Sequence, residues 1–140
     1  TFISNWGSYG TGDGQFYRPT QVALDADGNV YVADYLNDRI QEFTGSGTFI
    51  TKWGTTGSGD SQFGGPVGIA VGPSGDIYVT DRNNHRVQQF TNEGKFLRGV
   101  GGEGTEAGKF HLPHGVALDS HACLYVADTM NGRIQKFATS

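Results

Sequence analysis

The sequence predicts an all-β fold made of repeated units, and three observations carry this prediction. One pattern of motifs occurs three times with a constant spacing of 47 residues, which is the signature of a repeat architecture. Short apolar runs alternate with turns, and the chain of 140 residues contains 23 glycines, more in keeping with many tight turns than with long helices. No long stretch shows helical periodicity of its apolar residues.

The 47-residue spacing holds for apolar, charged and proline positions alike, so the copies are in register over most of their length. It divides the chain into repeats 1–47, 48–94 and 95–140 of a single domain that covers residues 1–140. The residues that define it are Phe16, Phe63 and Phe110; Pro19, Pro66 and Pro113; Asp34, Asp81 and Asp128; Arg39, Arg86 and Arg133; and Phe43, Phe90 and Phe137.

The first repeat predicts four short strands. Residues 2–6 form the first of them, and a glycine-rich loop over residues 7–15 follows. Residues 21–25 form the second strand, which ends in a tight turn because residues 25–29 are rich in Asp, Gly and Asn. Residues 30–33 are apolar on both faces, which predicts a strand covered on both sides. Residues 39–43 form the last strand before the next repeat opens at residue 48.

The second repeat predicts strands at 48–53, 67–71, 76–80 and 86–90, with a loop over 54–62. The third predicts strands at 95–100, 124–128 and 133–137, with a loop over 101–109 and an innermost strand after Pro113. The third copy departs most from the others, because Val100 replaces a tryptophan and residues 120–123 replace an Asp-Gly turn.

The lengths of the connections predict how the strands are arranged. Three of the four strands in each repeat are joined by tight turns, as in neighbouring strands of one antiparallel sheet. The fourth connection is long enough to cross three strand spacings of about 4.8 Å, a span of roughly 14 Å. Four-stranded sheets joined in this way, from the outermost strand of one to the innermost strand of the next, are the blades of a β-propeller.

Four motifs make the resemblance specific. They are Phe-x-x-Pro-x-x-Val/Ile-Ala, Gly-Asn/Asp-Val/Ile-Tyr-Val-Ala/Thr-Asp, Asn-x-Arg-Ile/Val-Gln-x-Phe and Phe-Ile/Leu-x-x-Trp-Gly. The pattern resembles the NHL repeat, and residues 84–86 resemble part of the family's Asn-His-Leu signature. The resemblance covers nearly the whole chain and implies a propeller of six blades, of which this chain supplies three.

Three blades leave an open arc, because propellers close with roughly 4 to 8 blades. We expect two copies to close into one six-bladed ring, with residues 2–6 of each chain completing the terminal blade of the other as its outermost strand. A two-fold dimer is the commonest symmetric assembly. The alternative is that the chain is part of a longer six-repeat protein. The predicted dimer contacts are Phe2, Ile3, Trp6, Arg133, Ile134 and Phe137.

The start of each innermost strand is predicted to face one mouth of the central channel, where a ligand or a partner protein would bind. The residues predicted there are Tyr17, Arg18, Thr20, Gly64, Val67, His111 and His114. Residues 110–115 resemble a channel-lining segment of the peptidyl-hydroxyglycine lyase propeller, in which a histidine binds zinc. This resemblance implies His114 as a metal ligand, and it places Tyr35 near a catalytic tyrosine with the spacing changed by one residue. The equivalents of His114 are Thr20 and Val67, whereas a catalytic zinc usually has three protein ligands.

The recurrent acidic and basic residues are interpreted as structural pairs, because a pair occurs in every copy. The pairs are Asp34 with Arg39, Asp81 with Arg86, and Asp128 with Arg133. Each is expected to span a hairpin or to reach the adjacent blade, with the bidentate geometry that arginine favours. A catalytic acid would be expected once, not three times.

Composition narrows the classes of function. The net charge of −4 argues against nucleic acid as a partner, and no apolar run reaches the roughly 18 residues of a membrane span. A single cysteine, Cys123, excludes a disulfide within the chain. The leading interpretation is a non-enzymatic binding or scaffold module without a cofactor, whose partners are a second copy of itself and a protein, peptide or small ligand. The alternatives are a metal-dependent lyase of the kind named above, with a divalent metal in the channel, and an RNA-binding NHL module. Nothing in the sequence indicates a compartment.

Overall fold

The structure is a computed structural model that describes residues 1–139. The chain forms short strands, here numbered in chain order, and three single-turn 3-10 helices that each follow the second strand of a blade. The first blade and the loop before it contain β1 (Ser8–Tyr9), β2 (Gln15–Phe16), β3 (Pro19–Leu24), β4 (Val30–Asp34), β5 (Arg39–Phe43) and β6 (Phe49–Trp53). The next contributes β7 (Thr55–Thr56), β8 (Gln62–Phe63), β9 (Pro66–Val71), β10 (Ile77–Asp81), β11 (Arg86–Phe90) and β12 (Phe96–Gly101). The last contributes β13 (Val116–Leu118), β14 (Cys123–Asp128) and β15 (Arg133–Ala138).

The longer strands form three antiparallel sheets, which are the blades of a β-propeller, as the sequence predicted, and β1-β2 and β7-β8 form short parallel pairs in the loops before blades 1 and 2. Blade 1 has the order β3-β4-β5-β6 and blade 2 the order β9-β10-β11-β12. Blade 3 has three strands, β13-β14-β15, so β15 is an edge strand in the part of the chain that the structure describes. The innermost strand β9 contacts both β3 and β13, which places the three blades side by side along an arc.

The predicted strand over residues 2–6 is not a strand in this structure. Residues 1–7 carry no strand hydrogen bonds, and the side chains of Phe2 and Ile3 are 77% and 91% exposed. A strand needs a neighbour to receive its backbone hydrogen bonds, and no strand of blades 1 to 3 is paired with this segment. Trp6 is nevertheless half-buried, with its ring 4.8 Å from that of Phe43.

The core lies between the blades. Tyr31, Ala33 and Ile40 of blade 1 pack against the side chains of blade 2 with no exposed surface, and on the other side Tyr78 and Val87 of blade 2 pack against blade 3. Strands β4 and β10 are buried on both faces, as their apolar sequence predicted. Blade 2 therefore buries its two faces against its two neighbours.

The long loops between blades are fixed by the arginines of the structural pairs. Arg39 donates from Nε to Asp34 at 2.7 Å and from its two terminal nitrogens to the carbonyl oxygens of Thr11, Gly12 and Gln15 at 2.8–2.9 Å. Arg86 and Arg133 make the same four contacts in their own repeats. The pairs span the β4–β5 hairpin and its equivalents, but the expected bidentate contact is wrong: one nitrogen binds the carboxylate and the others bind the loop.

Over residues 1–139, no helix has the length and apolar character that crossing a lipid bilayer would require.

Candidate functional site

A cavity of about 300 Å³ opens where the innermost strands of the three blades begin. We call it the mouth cavity, and its lining residues are Arg18, Thr20, Tyr35, Val67, Arg82 and His114. Thr20, Val67 and His114 occupy one repeat position in blades 1, 2 and 3. Tyr35 and Arg82 occupy another, the first residue of the 3-10 helix after the recurrent aspartate.

The structure brings together four of the seven residues predicted at the mouth, namely Arg18, Thr20, Val67 and His114. The other three, Tyr17, Gly64 and His111, share a different repeat position and do not line the cavity. Their backbone N–H groups donate to Asp34, Asp81 and Asp128 at 2.7–2.8 Å. This position is therefore defined by its backbone, whatever side chain it carries.

Arg82 is the cavity residue that the sequence analysis did not single out. It stands where the other repeats carry Tyr35 and Thr129, so recurrence among the three copies does not reveal it. A comparison of positions at which the three copies differ would have found it, together with Arg18, whose equivalents are Gly65 and Leu112.

His114 is bound to Arg82 across the junction between blades 2 and 3. The Nε of Arg82 donates to Nε2 of His114 at 2.7 Å, and its Nη1 donates to Oδ1 of Asn83 at 3.1 Å. Desolvation and the positive charge of Arg82 both lower the pKa of His114. The imidazole is therefore neutral near pH 7 and accepts a hydrogen bond at Nε2.

The predicted metal site at His114 does not fit these surroundings. A guanidinium already occupies Nε2, and its positive charge opposes a metal cation. Among residues 1–139 there is no group of three His, Cys, Asp or Glu side chains arranged to hold a metal ion. His111 does not join His114; its ring lies 5.5 Å from that of His85, whose Nδ1 accepts the backbone N–H of Leu112 at 3.0 Å.

The recurrent Asp–Arg centres have the properties of structural groups. Asp128 is fully buried, and desolvation opposes its ionisation. Hydrogen bonds from the His111 backbone, Arg133 and Asn131 outweigh this effect and lower the pKa of the carboxyl. Asp34 and Asp81 have the same backbone, arginine and asparagine partners. Carboxylates held in this way organise the turn and have no free oxygen facing a substrate.

The two ends of the arc carry apolar faces that are covered at the internal junctions. On blade 3, Ile134 is 69% exposed, whereas its equivalent Ile40 is 0% exposed against blade 2. On blade 1, Val22 is 55% exposed, whereas its equivalent Ile69 is 1% exposed. Cavities of about 320 Å³ lie on both faces. We call these the blade 3 face, lined by Ala117, Tyr125, Ala127 and Ile134 among others, and the blade 1 face, lined by Trp6, Phe16, Val22 and Val32 among others.

Only some of the predicted dimer contacts lie on the exposed ends of the arc. Phe2, Ile3 and Ile134 are exposed, and Trp6 is half-buried on the blade 1 face. Phe137 is turned the other way, with its ring 5.6 Å from that of Phe110 at the junction with blade 2. The guanidinium of Arg133 is bound to Asp128 and the crossing loop, so only its backbone lies on the free edge. Tyr125, Ala117 and Val22 were not predicted, although they are related by the repeat spacing to residues of the buried junction.

Comparisons with known proteins agree with this architecture. A family model described as NHL repeat matches residues 16–43, 63–90 and 110–137. Among solved structures, an inactive virginiamycin B lyase from Staphylococcus aureus crystallised with quinupristin is 25% identical, with a TM-score of 0.61 over 86% of this chain and 41% of that one. A calcium-binding regucalcin from Agrobacterium tumefaciens is 15% identical, with a TM-score of 0.61 over 85% of this chain and 45% of that one. The WD40 propeller domain of Doa1 is 14% identical, with a TM-score of 0.64 over 87% of this chain and 37% of that one. The chain thus spans less than half the length of these propellers.

Proposed function

Because the chain belongs to the NHL repeat family, we propose that it is a non-enzymatic binding and scaffold module, two copies of which close into one six-bladed ring. The ring presents the mouth cavity as its binding face. Propellers hold loops on a rigid frame, and loops held in this way commonly carry binding function. Since a fold does not determine a function, the support for the ring comes from the residues at the two ends of the arc.

The position of Trp6 carries the proposal. Its ring packs on Phe43 and closes over Gly47, just as Trp53, at the end of the outermost strand of blade 1, packs on Phe90 and closes over Gly94 of blade 2. Trp6 therefore sits on blade 1 in the way that the last residue of a preceding blade would. A preceding blade would cover this ring, and a second copy would supply that blade in the proposed ring.

The two end faces are expected to fit each other, because they carry the repeat positions that meet at the junctions inside the chain. At the junction of blades 1 and 2, Tyr31, Ala33 and Ile40 meet Ile69, Val79 and Phe90. The blade 3 face offers Tyr125, Ala127 and Ile134 at the first set of positions. At the second set, the blade 1 face offers Val22, which is 55% exposed, beside Val32 and Phe43, which are already buried within one chain. Full burial of a side chain such as Ile134 contributes about 1.5–3 kcal/mol. Two such junctions form when two arcs close on each other.

Residues 2–6 provide a strand for the free edge of β15. In blade 1, Phe49 pairs with Phe43 and Trp53 with Ile40. The same register in the ring sets Phe2 of one copy opposite Phe137 of the other, and Trp6 opposite Ile134. The exposed segment then gains backbone partners, and the edge of blade 3 no longer offers unpaired hydrogen-bonding groups.

Light scattering coupled to size exclusion tests the ring. The 140-residue chain at micromolar concentration should have about twice the monomer mass of 15.0 kDa, because each arc buries the end faces of the other. Ile134→Asp should give the monomer mass with the fold retained by circular dichroism, since a carboxylate at this position is exposed in one arc and buried without a partner in the ring.

Leu97→Asp is the matched control. Leu97 is 44% exposed on the outer strand of blade 2, beside a junction that is already formed, so this variant should remain a dimer. A wild-type mass of 15.0 kDa would overturn the ring, and monomers from both variants would show that the loss at Ile134 is not specific to the end face.

One observation favours the lyase alternative, because Tyr35 and His114 line the same cavity. The guanidinium of Arg82 on His114 argues against it. Elemental analysis of protein purified without a histidine tag distinguishes the two functions: stoichiometric zinc that is lost in His114→Ala would support the lyase, and its absence would support the scaffold.

A further inference from the structure

We propose that the mouth cavity binds a small ligand with several anionic oxygens, of the class of phosphate esters and polycarboxylates. Arg18 and Arg82 supply the positive charge, and the hydroxyl of Tyr35 supplies a neutral donor. This inference deepens the proposed function and rests on it for the number of charges, because two copies of the cavity surround one channel in the ring.

Arg82 presents a guanidinium whose orientation is already set. Its Nε is bound to His114 and its Nη1 to Asn83, both of them neutral acceptors near pH 7. These contacts hold the plane of the group without cancelling its charge. No protein acceptor takes the hydrogens of Nη2 among the described residues, so this edge remains available to a ligand. A guanidinium edge matches the geometry of carboxylate and phosphate oxygens.

Arg18 brings a second positive charge to the same cavity. Its backbone lies in the left-handed region with φ of 57°, at the turn just before β3. The ion pairs found within residues 1–139 join Arg39, Arg86, Arg133 and Lys52 to aspartates, and they include neither Arg18 nor Arg82. The mouth cavity itself has no carboxylate in its lining.

Neither Arg18 nor Arg82 stands at a position where the other two repeats also carry arginine. Arg39, Arg86 and Arg133 recur because every crossing loop needs them, whereas Arg18 aligns with Gly65 and Leu112, and Arg82 aligns with Tyr35 and Thr129. A module with a net charge of −4 thus carries two unneutralised cations at its inner rim. Charges of one sign that converge on a concave surface focus the potential and attract a ligand of the opposite sign.

The remaining polar groups of the cavity limit what can bind. The hydroxyl of Thr20 donates to the carbonyl oxygen of Val67 at 2.9 Å and is not a donor to a ligand. The hydroxyl of Tyr35 has no protein partner within residues 1–139. In the ring, two copies place four arginines around the channel, which favours a ligand with more than one anionic group over a simple monovalent ion.

Calorimetric titration at low ionic strength, with pyrophosphate and with citrate as probes, tests the site. Both probes should bind the wild-type chain, and Arg82→Gln and Arg18→Gln should each weaken binding by about tenfold or more, because each removes a charge-assisted hydrogen bond. Arg98→Gln is the matched control. It removes the same charge from outer strand β12, where Arg98 binds Gln89, and it should change affinity by less than about twofold.

The mass of each protein in the same buffer separates this proposal from the ring. A dimer that binds neither probe would overturn the anion site and leave the ring standing. A monomer that binds them through Arg18 and Arg82 would overturn the ring and keep the site on one arc. Equal losses in the Arg98 variant and the cavity variants would show non-specific attraction and overturn the site. Far tighter binding of a uridine oligonucleotide, weakened alike by all three substitutions, would replace it with a nucleic-acid surface.

Discussion

At the residue scale, the recurrent arginines matter more for the loops than for the aspartates they were predicted to pair with. Arg39 is 7% exposed and satisfies three loop carbonyls as well as Asp34. Five donors in a fixed plane allow one side chain to reach all four acceptors, which an ammonium group does not match. The arginine thus determines the path of a loop that has little regular structure of its own.

Arg39→Lys should lower the free energy of unfolding by about 2–4 kcal/mol, because it keeps the charge but leaves buried acceptors without donors. Urea unfolding followed by circular dichroism measures the change. Arg98→Lys, on the outer strand of blade 2, is the control and should change stability by less than about 0.5 kcal/mol. A loss below that limit for Arg39→Lys would show that charge alone holds the loop.

Individual residues of the candidate site could be predicted from the sequence only in part. The pairing of Asp with Arg followed from recurrence, since a residue needed by every blade appears in every copy. Arg82 was missed because functional side chains stand where the copies differ. Tyr17, Gly64 and His111 were misplaced because their role belongs to the backbone N–H, on which the sequence is silent.

At the element scale, the innermost strands determine how closely the blades approach. At Gly68 of β9 an added Cβ would overlap the carbonyl oxygen of His114 on blade 3 and also touch Thr80. Gly68 has an ordinary backbone conformation, so the constraint at this position is space alone. Strand positions were predictable because apolar alternation and turns recur three times. Residues 2–6 form no strand within one chain, and their pairing with a second copy stays a prediction, because a strand depends on a partner that lies outside its own sequence.

Gly68→Ala should reduce stability by about 1–3 kcal/mol, the range for overpacked sites, because the blade 2–blade 3 junction must open to admit the methyl group. Thermal unfolding gives the measurement. Gly99→Ala, where the nearest atom to the added Cβ is 3.9 Å away, is the control with the same chemical change and room to accept it. Equal stabilities for the two variants would contradict the close approach.

At the scale of the whole molecule, stability and assembly are coupled if two arcs share their end faces. The blade 1 and blade 3 faces carry residues that are buried in every internal junction, so one arc alone lacks part of its core. The number of blades in the chain followed from the repeat count. How the ends are covered did not, because the relevant contacts lie between chains or between this chain and further blades.

The midpoint of thermal unfolding should therefore rise with protein concentration. A hundredfold increase stabilises a dimer against unfolded monomers by about 2.7 kcal/mol, which corresponds to a shift of several degrees. Scanning fluorimetry across that range gives the result, and Ile134→Asp should remove the dependence. A wild-type midpoint that does not change would indicate that one arc folds independently of the other.

The hydrogen bonds of each Asp–Arg centre begin and end within one repeat, while the side-chain core between adjacent blades is apolar. A length of 47 residues can consequently be duplicated or deleted without orphaning a buried ion. At each boundary the next repeat has to supply an apolar face of matching shape and one strand that completes the blade before it, so this chain has the chemistry of an interchangeable module.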